Sequence, residues 1–82
     1  MVYISKQDQK YYRYKMSMMI ADTLQELMDM ATLVGVDHKW IKDHNGIPLF
    51  WICKEMKAKA ITAGADEVNL RWIISRIGEM GK

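Results

Sequence analysis

Apolar residues along the chain fall into short runs that are separated by polar segments. Residues 16–21 and 49–52 are apolar on both faces, which is typical of buried central strands. Residues 2–4 are rich in β-formers and predict a further short strand, and Glu67-Val68 is a third short strand candidate after the two apolar runs. Residues 5–14 are polar and aromatic with no helical or strand period, so we expect a loop or an irregular hairpin there.

Three other segments repeat apolar residues at helical spacing. The first begins with a capping-box pattern, Thr23 to Glu26, and ends at Gly35, which can take a left-handed backbone conformation. The second runs from about residue 53 to residue 63. The third follows Asn69, a good N-cap residue. The apolar face predicted for this last helix comprises Leu70, Ile73, Ile74 and Ile77.

Strands and helices thus alternate along the chain, as they do when right-handed crossovers build a parallel sheet. We therefore predict an α/β fold with a small, mainly parallel sheet of three to four short strands and three helices. Residues 36–47 are expected to form a connection with a turn at Asn45-Gly46. The sequence contains no internal repeat and no linker, which predicts a single domain over residues 1–82.

Half of the residues are apolar, a generous share for a chain of 82 residues. Some of that surface must stay exposed, which favours a partner or a homodimer. No apolar run approaches the roughly 18 residues that span a bilayer, so we expect no membrane association. Cys53 is the single cysteine, which excludes an internal disulfide and favours a reducing, cytosolic location.

The sequence offers no convincing catalytic or metal-binding constellation. His38 and His44 lie in a predicted loop, and Cys53 is the only other soft donor near them, whereas a rigid metal site needs three or four ligands. The five glycines are scattered, so no glycine-rich phosphate loop exists. We therefore expect no metal, no cofactor and no catalytic residues.

The most suggestive surface feature is an aromatic and basic segment before the first long apolar run. Tyrosine and arginine anchor many protein interfaces because they combine contact area with a polar group. We predict a partner-binding patch at Tyr11, Tyr12, Arg13 and Tyr14, with Trp72 as a second anchor. Alternatively, lysines could neutralise a nucleic acid beside these rings. The candidate lysines are Lys10, Lys15, Lys54 and Lys57. The net charge of +2 is too small to imply nucleic acid by itself.

Short motifs from one end of the chain to the other resemble a known family. They are Val2-Tyr3-Ile4, Met16-Ser17, Ile20-Ala21-Asp22-Thr23, Glu26-Leu27, Met30-Ala31, Val34-Gly35-Val36, Trp40, Lys57-Ala58, Ala60, Ala63-Gly64-Ala65 and Glu67-Val68. Through them the chain resembles short bacteriophage and bacterial proteins known as domain of unknown function 4031. Each motif is weak alone, but the set is fairly specific.

The chain also departs from that family pattern at polar positions. Typical members carry histidines in place of Met18 and Met28, a His-Tyr-Asp triplet in place of Leu49-Phe50-Trp51, an aspartate in place of Ser5, and a lysine in place of Met56. The resemblance implies that polar groups able to form a shared site are largely gone here. Any activity of the family at that cluster is then expected to be lost.

Residues and resemblance together predict a small phage-type protein of unknown specific function. We expect a non-catalytic binding module that acts on a macromolecule, a host or phage protein, in the bacterial cytosol. One specific version is an inhibitor of a host defence system such as CRISPR. Two alternatives remain open: a degenerate small-molecule- or metal-binding enzyme-like domain, and a nucleic-acid-binding protein.

Overall fold

The computed structural model describes residues 1–7, 9–11, 14–44 and 46–80. The strands in these ranges are β1 (Val2–Ser5), β2 (Gln9–Tyr11), β3 (Tyr14–Ala21), β4 (Lys42–His44), β5 (Ile47–Ile52) and β6 (Asp66–Val68). The helices are α1 (Leu24–Val34), α2 (Lys54–Thr62) and α3 (Leu70–Met80), with a short 3₁₀ helix at His38–Trp40. The α/β class and the three predicted α-helices are confirmed for these residues.

The sheet has the strand order β4-β5-β3-β1-β6, and β2 pairs with the outer end of β3. Within the described residues, only the pairing of β1 with β6 is parallel, and the other pairs are antiparallel. The prediction of a mainly parallel sheet of three to four strands is therefore wrong.

The prediction fails because the chain reverses direction twice without a crossover helix, and the alternation of strands and helices in the sequence does not indicate these reversals. α1 returns the chain so that β4 runs in the direction of β3, but a turn at Gly46 then reverses it. Gly46 has a φ of 80°, a conformation that glycine adopts without steric cost. β5 therefore enters between β4 and β3 antiparallel to both. The described residues between β1 and β3 contain no crossover helix, and these two strands also pair antiparallel.

The helices cover both faces of the sheet and bury two apolar clusters. α1 and α2 pack on one face, where Met19 and Phe50 are fully buried. α3 packs on the other face, where Ile73 and Ile77 meet Ile20 of the central strand. Buried strands that are apolar on both faces, as the sequence predicts, are the expected result of this layering.

The helix ends follow the predicted caps. The Thr23 hydroxyl accepts a hydrogen bond from the backbone N–H of Glu26 at 3.2 Å, and Gly35 ends α1 with a φ of 89°. The Asn69 side chain accepts the N–H of Arg71 at 2.9 Å. The predicted apolar face of α3 is only partly right, because Ile74 is 55% exposed. Ile73 and Ile77 reach the sheet, whereas Ile74 lies about 100° around the helix from Ile73.

A bend after β1 is held from several sides. The Ser5 hydroxyl accepts the N–H of Met18 at 3.0 Å and donates to the carbonyl of Gln7 at 3.1 Å. The Gln7 side chain accepts the N–H of Leu70 at 2.9 Å, the first residue of α3. The Lys57 ammonium donates to the Lys6 carbonyl at 2.9 Å. The bend therefore connects β1 to β3, α2 and α3. No helix in the described residues is both long and apolar enough to cross a membrane.

Candidate functional site

Two adjoining cavities lie at the end of the sheet where β5 terminates. The larger has a volume of about 590 Å³, which falls within the usual range of ligand-binding clefts, roughly 300–1,000 Å³. Its lining consists of Tyr14, Met16, Gly35, Val36, Asp37, Trp40, Lys42, Trp51, Cys53 and Met56. The second cavity is lined by Tyr14, Lys15, Met16, Cys53, Lys54 and Glu55. Because three residues line both cavities, we treat them together as the end groove.

The end groove exists because β3 is longer than its neighbour β5. The pairing of the two strands reaches Ser17 opposite Ile52, and α2 begins at Lys54. The last three residues at the outer end of β3, Tyr14–Met16, therefore face an opening instead of a strand on that side. The start of α2 and the segment after α1 form its remaining walls.

Aromatic rings dominate the rim of this groove. Tyr14 is 65% exposed and Trp40 is 59% exposed, while Trp51 is half-buried. Trp40 is held by the 3₁₀ helix, whose N-cap Asp37 accepts the backbone N–H of Lys39 at 3.0 Å. The Lys39 ammonium also lies 5.6 Å from the centre of the Trp40 ring, a cation–π distance. Large exposed rings beside an apolar cleft are typical of interaction sites.

The charge around the end groove is mainly positive. Lys15, Lys42 and Lys54 are exposed, and none of them has an ion-pair partner among the described residues. Asp37 is paired with Lys39 at 3.8 Å, which leaves Glu55 as the other acidic residue of the lining. Such a surface attracts negatively charged groups.

The structure separates the predicted partner-binding residues. Tyr14 lies at the end groove, and Tyr11 is its partner across the β2–β3 pair. Tyr12 and Arg13 lie outside the described residues. Trp72 is 41% exposed and contacts the ring of Tyr3, with the ring centres 4.7 Å apart.

Trp72 and Tyr14 belong to different surfaces. Tyr3, the ring against which Trp72 packs, pairs with Ile20. Ile20 lies six positions along β3 from Tyr14, which corresponds to about 20 Å at the usual rise of a strand. The predicted patch and its second anchor are therefore at opposite ends of the sheet.

The predicted lysines also divide into two groups. Lys15 and Lys54 line the same cavity as Tyr14, and the backbone of Lys10 pairs with Lys15 in the sheet. Lys57 is different, because its side chain is only 13% exposed and pairs with Glu67 at 3.2 Å. Its ammonium is thus engaged by contacts within the fold.

The candidate metal ligands lie in different settings. His38 is within hydrogen-bonding distance of the Thr32 hydroxyl, at 2.8 Å. His44 is exposed on β4, and Cys53 lines the end groove. Across the ranges that the structure describes, no three His, Cys, Asp or Glu side chains form a group that could hold a metal ion.

The positions at which the sequence analysis expects departures from the family pattern separate by face. Ser5, Met18, Leu49 and Trp51 share the face that α3 covers. Met18 is directly opposite Trp51, and its backbone bonds the Ser5 hydroxyl. In this chain Met18 and Trp51 pack against the apolar cluster of α3.

The other departures lie on the opposite face. Phe50 is part of the cluster under α1 and α2, and Met28 and Met56 pack against it. Of the seven positions at which polar residues are expected in the family, the four on the α3 face are close enough to form one shared polar cluster. Three neighbouring strands bring those four together.

A charged network at the far end of β3 was not predicted from the sequence. Asp22 accepts hydrogen bonds from Arg76 at 3.0 Å and from the Tyr3 hydroxyl at 3.1 Å. The Arg76 guanidinium, together with the Tyr3 hydroxyl and the N-terminal ammonium, holds the pKa of the Asp22 carboxyl below its usual value. Glu26 accepts from that ammonium, which lowers its pKa as well. The network connects α3 to the start of α1.

The sequence reasoning also missed Trp51 and Lys42 as groove residues. Both belong to strands whose side chains alternate between faces, so their place at the groove depends on the sheet order. Trp40 was visible only as a match to the family pattern. No local signal in the sequence marks it as exposed.

The chain belongs to the family described as protein of unknown function DUF4031, whose model matches residues 2–80. The resemblance inferred from the sequence is thereby confirmed over nearly the whole chain. No curated protein and no solved structure matches the chain significantly.

Proposed function

Because the family has no assigned activity, we propose from the end groove that this chain is a non-catalytic binding module for a macromolecular partner. The observation that carries the proposal is the pair of exposed rings, Tyr14 and Trp40, beside an apolar cleft of about 590 Å³. A bulky exposed aromatic residue is a frequent interface anchor, since covering it removes a large apolar area from water.

The partner we favour is a protein of the bacterial cytosol, from host or phage, as the resemblance to phage proteins suggests. Inhibition of a host defence system such as CRISPR is a more specific form of this proposal. It rests on the resemblance alone. It is tested by counting the plaques of a defence-sensitive phage on cells that express this chain. The number of plaques should rise only if the chain blocks the defence.

A specific observation also favours nucleic acid as a second candidate. Lys15 and Lys54 line one cavity with Tyr14, and a ring between lysines can stack on a base while the charges contact phosphates. This candidate predicts that the logarithm of the binding constant falls linearly with the logarithm of the salt concentration. A third candidate, a small-molecule- or metal-dependent enzyme-like domain, has no such observation in its favour.

The main proposal is tested by affinity capture with a matched pair of variants. Trp40→Ala removes a ring at the end groove, and Ile74→Ala removes a similarly exposed side chain on α3. We expect wild type and Ile74→Ala to recover the same stoichiometric protein from nuclease-treated bacterial lysate. Trp40→Ala should recover at least about tenfold less, because truncating an aromatic anchor costs about 2 kcal/mol or more.

Equal recovery by all three proteins would show that the end groove does not bind the partner. If light scattering finds symmetric dimers that Trp40→Ala dissociates, the groove serves self-association, and the proposal of a foreign partner is wrong.

A further inference from the structure

The outer end of β3 is a strand edge that lies open at the end groove. Tyr14–Met16 pair with β2 on one side. On the other side, β5 reaches only as far as Ser17. A strand edge of this kind presents backbone groups that a further extended segment can pair with.

The direction of the backbone groups shows which residue faces the opening. Met18 donates its N–H to Ser5 on the β1 side. Backbone N–H and C=O groups along an antiparallel strand point alternately to its two neighbours. Lys15, three residues before Met18, therefore directs its N–H and C=O toward the end groove. A segment that enters there would occupy the line along which β5 would continue.

The side chains around this edge select for negative charge. Lys15 and Lys54 line the cavity next to the open edge, and Lys42 lines the adjoining one. No acidic partner neutralises these three lysines within the described part of the chain. Cys53 provides no side-chain hydrogen bond to the N–H groups in the first turn of α2, which adds positive potential there. Glu55 in the same turn is the one acidic side chain of this cavity and opposes that potential in part.

The larger cavity supplies a place for an apolar side chain next to the open edge. Val36 is buried and Met56 is half-buried at its wall, with Trp40 and Trp51 also in the lining. Strand pairing, acidic selection and one apolar pocket therefore occur side by side. Peptides that add a strand to a sheet edge are recognised in this combined way.

We propose that the end groove binds an extended acidic peptide segment of its partner protein, which pairs with Lys15 as an added strand. Acidic side chains of the segment contact Lys15 and Lys54, and one large apolar side chain enters the cavity beside Trp40 and Met56. This inference rests on the proposed function, since it names the chemistry of the partner at the same groove.

The test is an amide NMR titration of the ¹⁵N-labelled chain with three capped heptapeptides. All three share a central Val-Phe-Val, flanked at each end by two Glu, two Lys or two Ser residues. We expect the Glu peptide to shift the amides of Lys15, Met16, Cys53 and Lys54. Its affinity should exceed that of the Ser peptide by about tenfold and should weaken with added salt, while the Lys peptide should bind most weakly.

Charge-reversal variants check that the lysines named here are responsible. Lys15→Glu and Lys54→Glu should each reduce the affinity for the Glu peptide severalfold. Lys59→Glu, at an exposed position on α2, should leave it unchanged. Dispersed spectra of all three variants, compared with wild type, verify that they fold.

Equal affinities for the three peptides, no shifts with any of them, or shifts confined to β6 and α3 would overturn the inference. So would a twelve-nucleotide oligo-dT that shifts the same amides at lower concentration than the Glu peptide, which would favour nucleic acid. If capture depends on Trp40 while the peptides show no preference for acid, the proposed function stands and only the peptide chemistry is wrong.

Discussion

Replacing Lys57 by methionine tests whether the bend after β1 depends on the ammonium of one half-buried lysine. The side chain of Lys57 is 13% exposed, and its ammonium bonds the Lys6 carbonyl at 2.9 Å. Methionine keeps the packing volume of the stem but leaves that carbonyl without this donor. A hydrogen bond to a charged group is worth about 1.5–3 kcal/mol. The pairing with Glu67 adds little, because the Glu67 side chain is 40% exposed and ion pairs of exposed groups contribute little to stability.

We therefore expect Lys57→Met to lower the free energy of unfolding by about 1.5–3 kcal/mol, as measured by urea denaturation with circular dichroism. Lys59→Met on the same helix is the matched control. Because Lys59 is exposed, its substitution should change the stability by no more than about 0.5 kcal/mol. Glu67→Gln should cost about 0–1 kcal/mol. The reasoning is refuted if Lys57→Met is as stable as Lys59→Met, or if Glu67→Gln costs as much as Lys57→Met.

Three further predictions concern the stability of the fold. Ile77→Ala empties a fully buried position under α3 and should cost about 2–5 kcal/mol in urea denaturation. Ile74→Ala, one turn earlier and exposed, should cost less than about 0.5 kcal/mol, and equal costs would contradict the assigned face of α3. Gly35→Ala should lower the melting temperature, because Gly35 has a φ of 89°, a conformation that strains any residue with a Cβ atom. Gly78→Ala should raise the melting temperature, because Gly78 lies within α3 and has open space for a methyl group. Asp22→Asn should destabilise at pH 7, because the pKa of Asp22 is lowered in the folded state. That stabilisation is present above the unfolded pKa of about 3.9 and is lost as pH falls through the lower folded pKa. The difference between variant and wild type should therefore vanish in strong acid, and a constant difference from pH 7 to pH 2 would contradict it.

Local features of the fold were predictable because their causes are local. The capping box at Thr23 and the left-handed residue at Gly35 fix the two ends of α1 through contacts within a few residues. Residues 16–21 and 49–52 were predicted as buried strands from their apolar composition, and the structure places strands over both.

The pairing of the strands was not predictable, because it depends on contacts distant in sequence. β4 consists of Lys42, Asp43 and His44, all exposed at the edge of the sheet, so its composition is that of a loop. Without that strand, the turn at Gly46 does not suggest a hairpin. The antiparallel entry of β5 then cannot be inferred.

The candidate site shows the same division. Tyr14 and Lys15 were recognised from an unusual local composition. The end groove itself results from the unequal lengths of β3 and β5, and Trp40 reaches it from a separate segment. The sequence predicts Lys57 as a candidate nucleic-acid contact together with Lys10, Lys15 and Lys54, because a sequence does not reveal which lysine is buried. The ion pair of Lys57 with Glu67 connects α2 to β6, and the two residues lie ten positions apart in the sequence.

Site-specific photo-crosslinking tests the central claim, binding of a macromolecule at the end groove, most directly. A benzophenone amino acid is placed at Trp40 in one protein and at Ile74 in another, two positions of similar exposure on different surfaces. Both are expressed in bacterial cells and irradiated. We predict a discrete covalent adduct with a single protein from position 40 and none from position 74. Adducts of equal yield from both positions, or no adduct from position 40, would contradict the account.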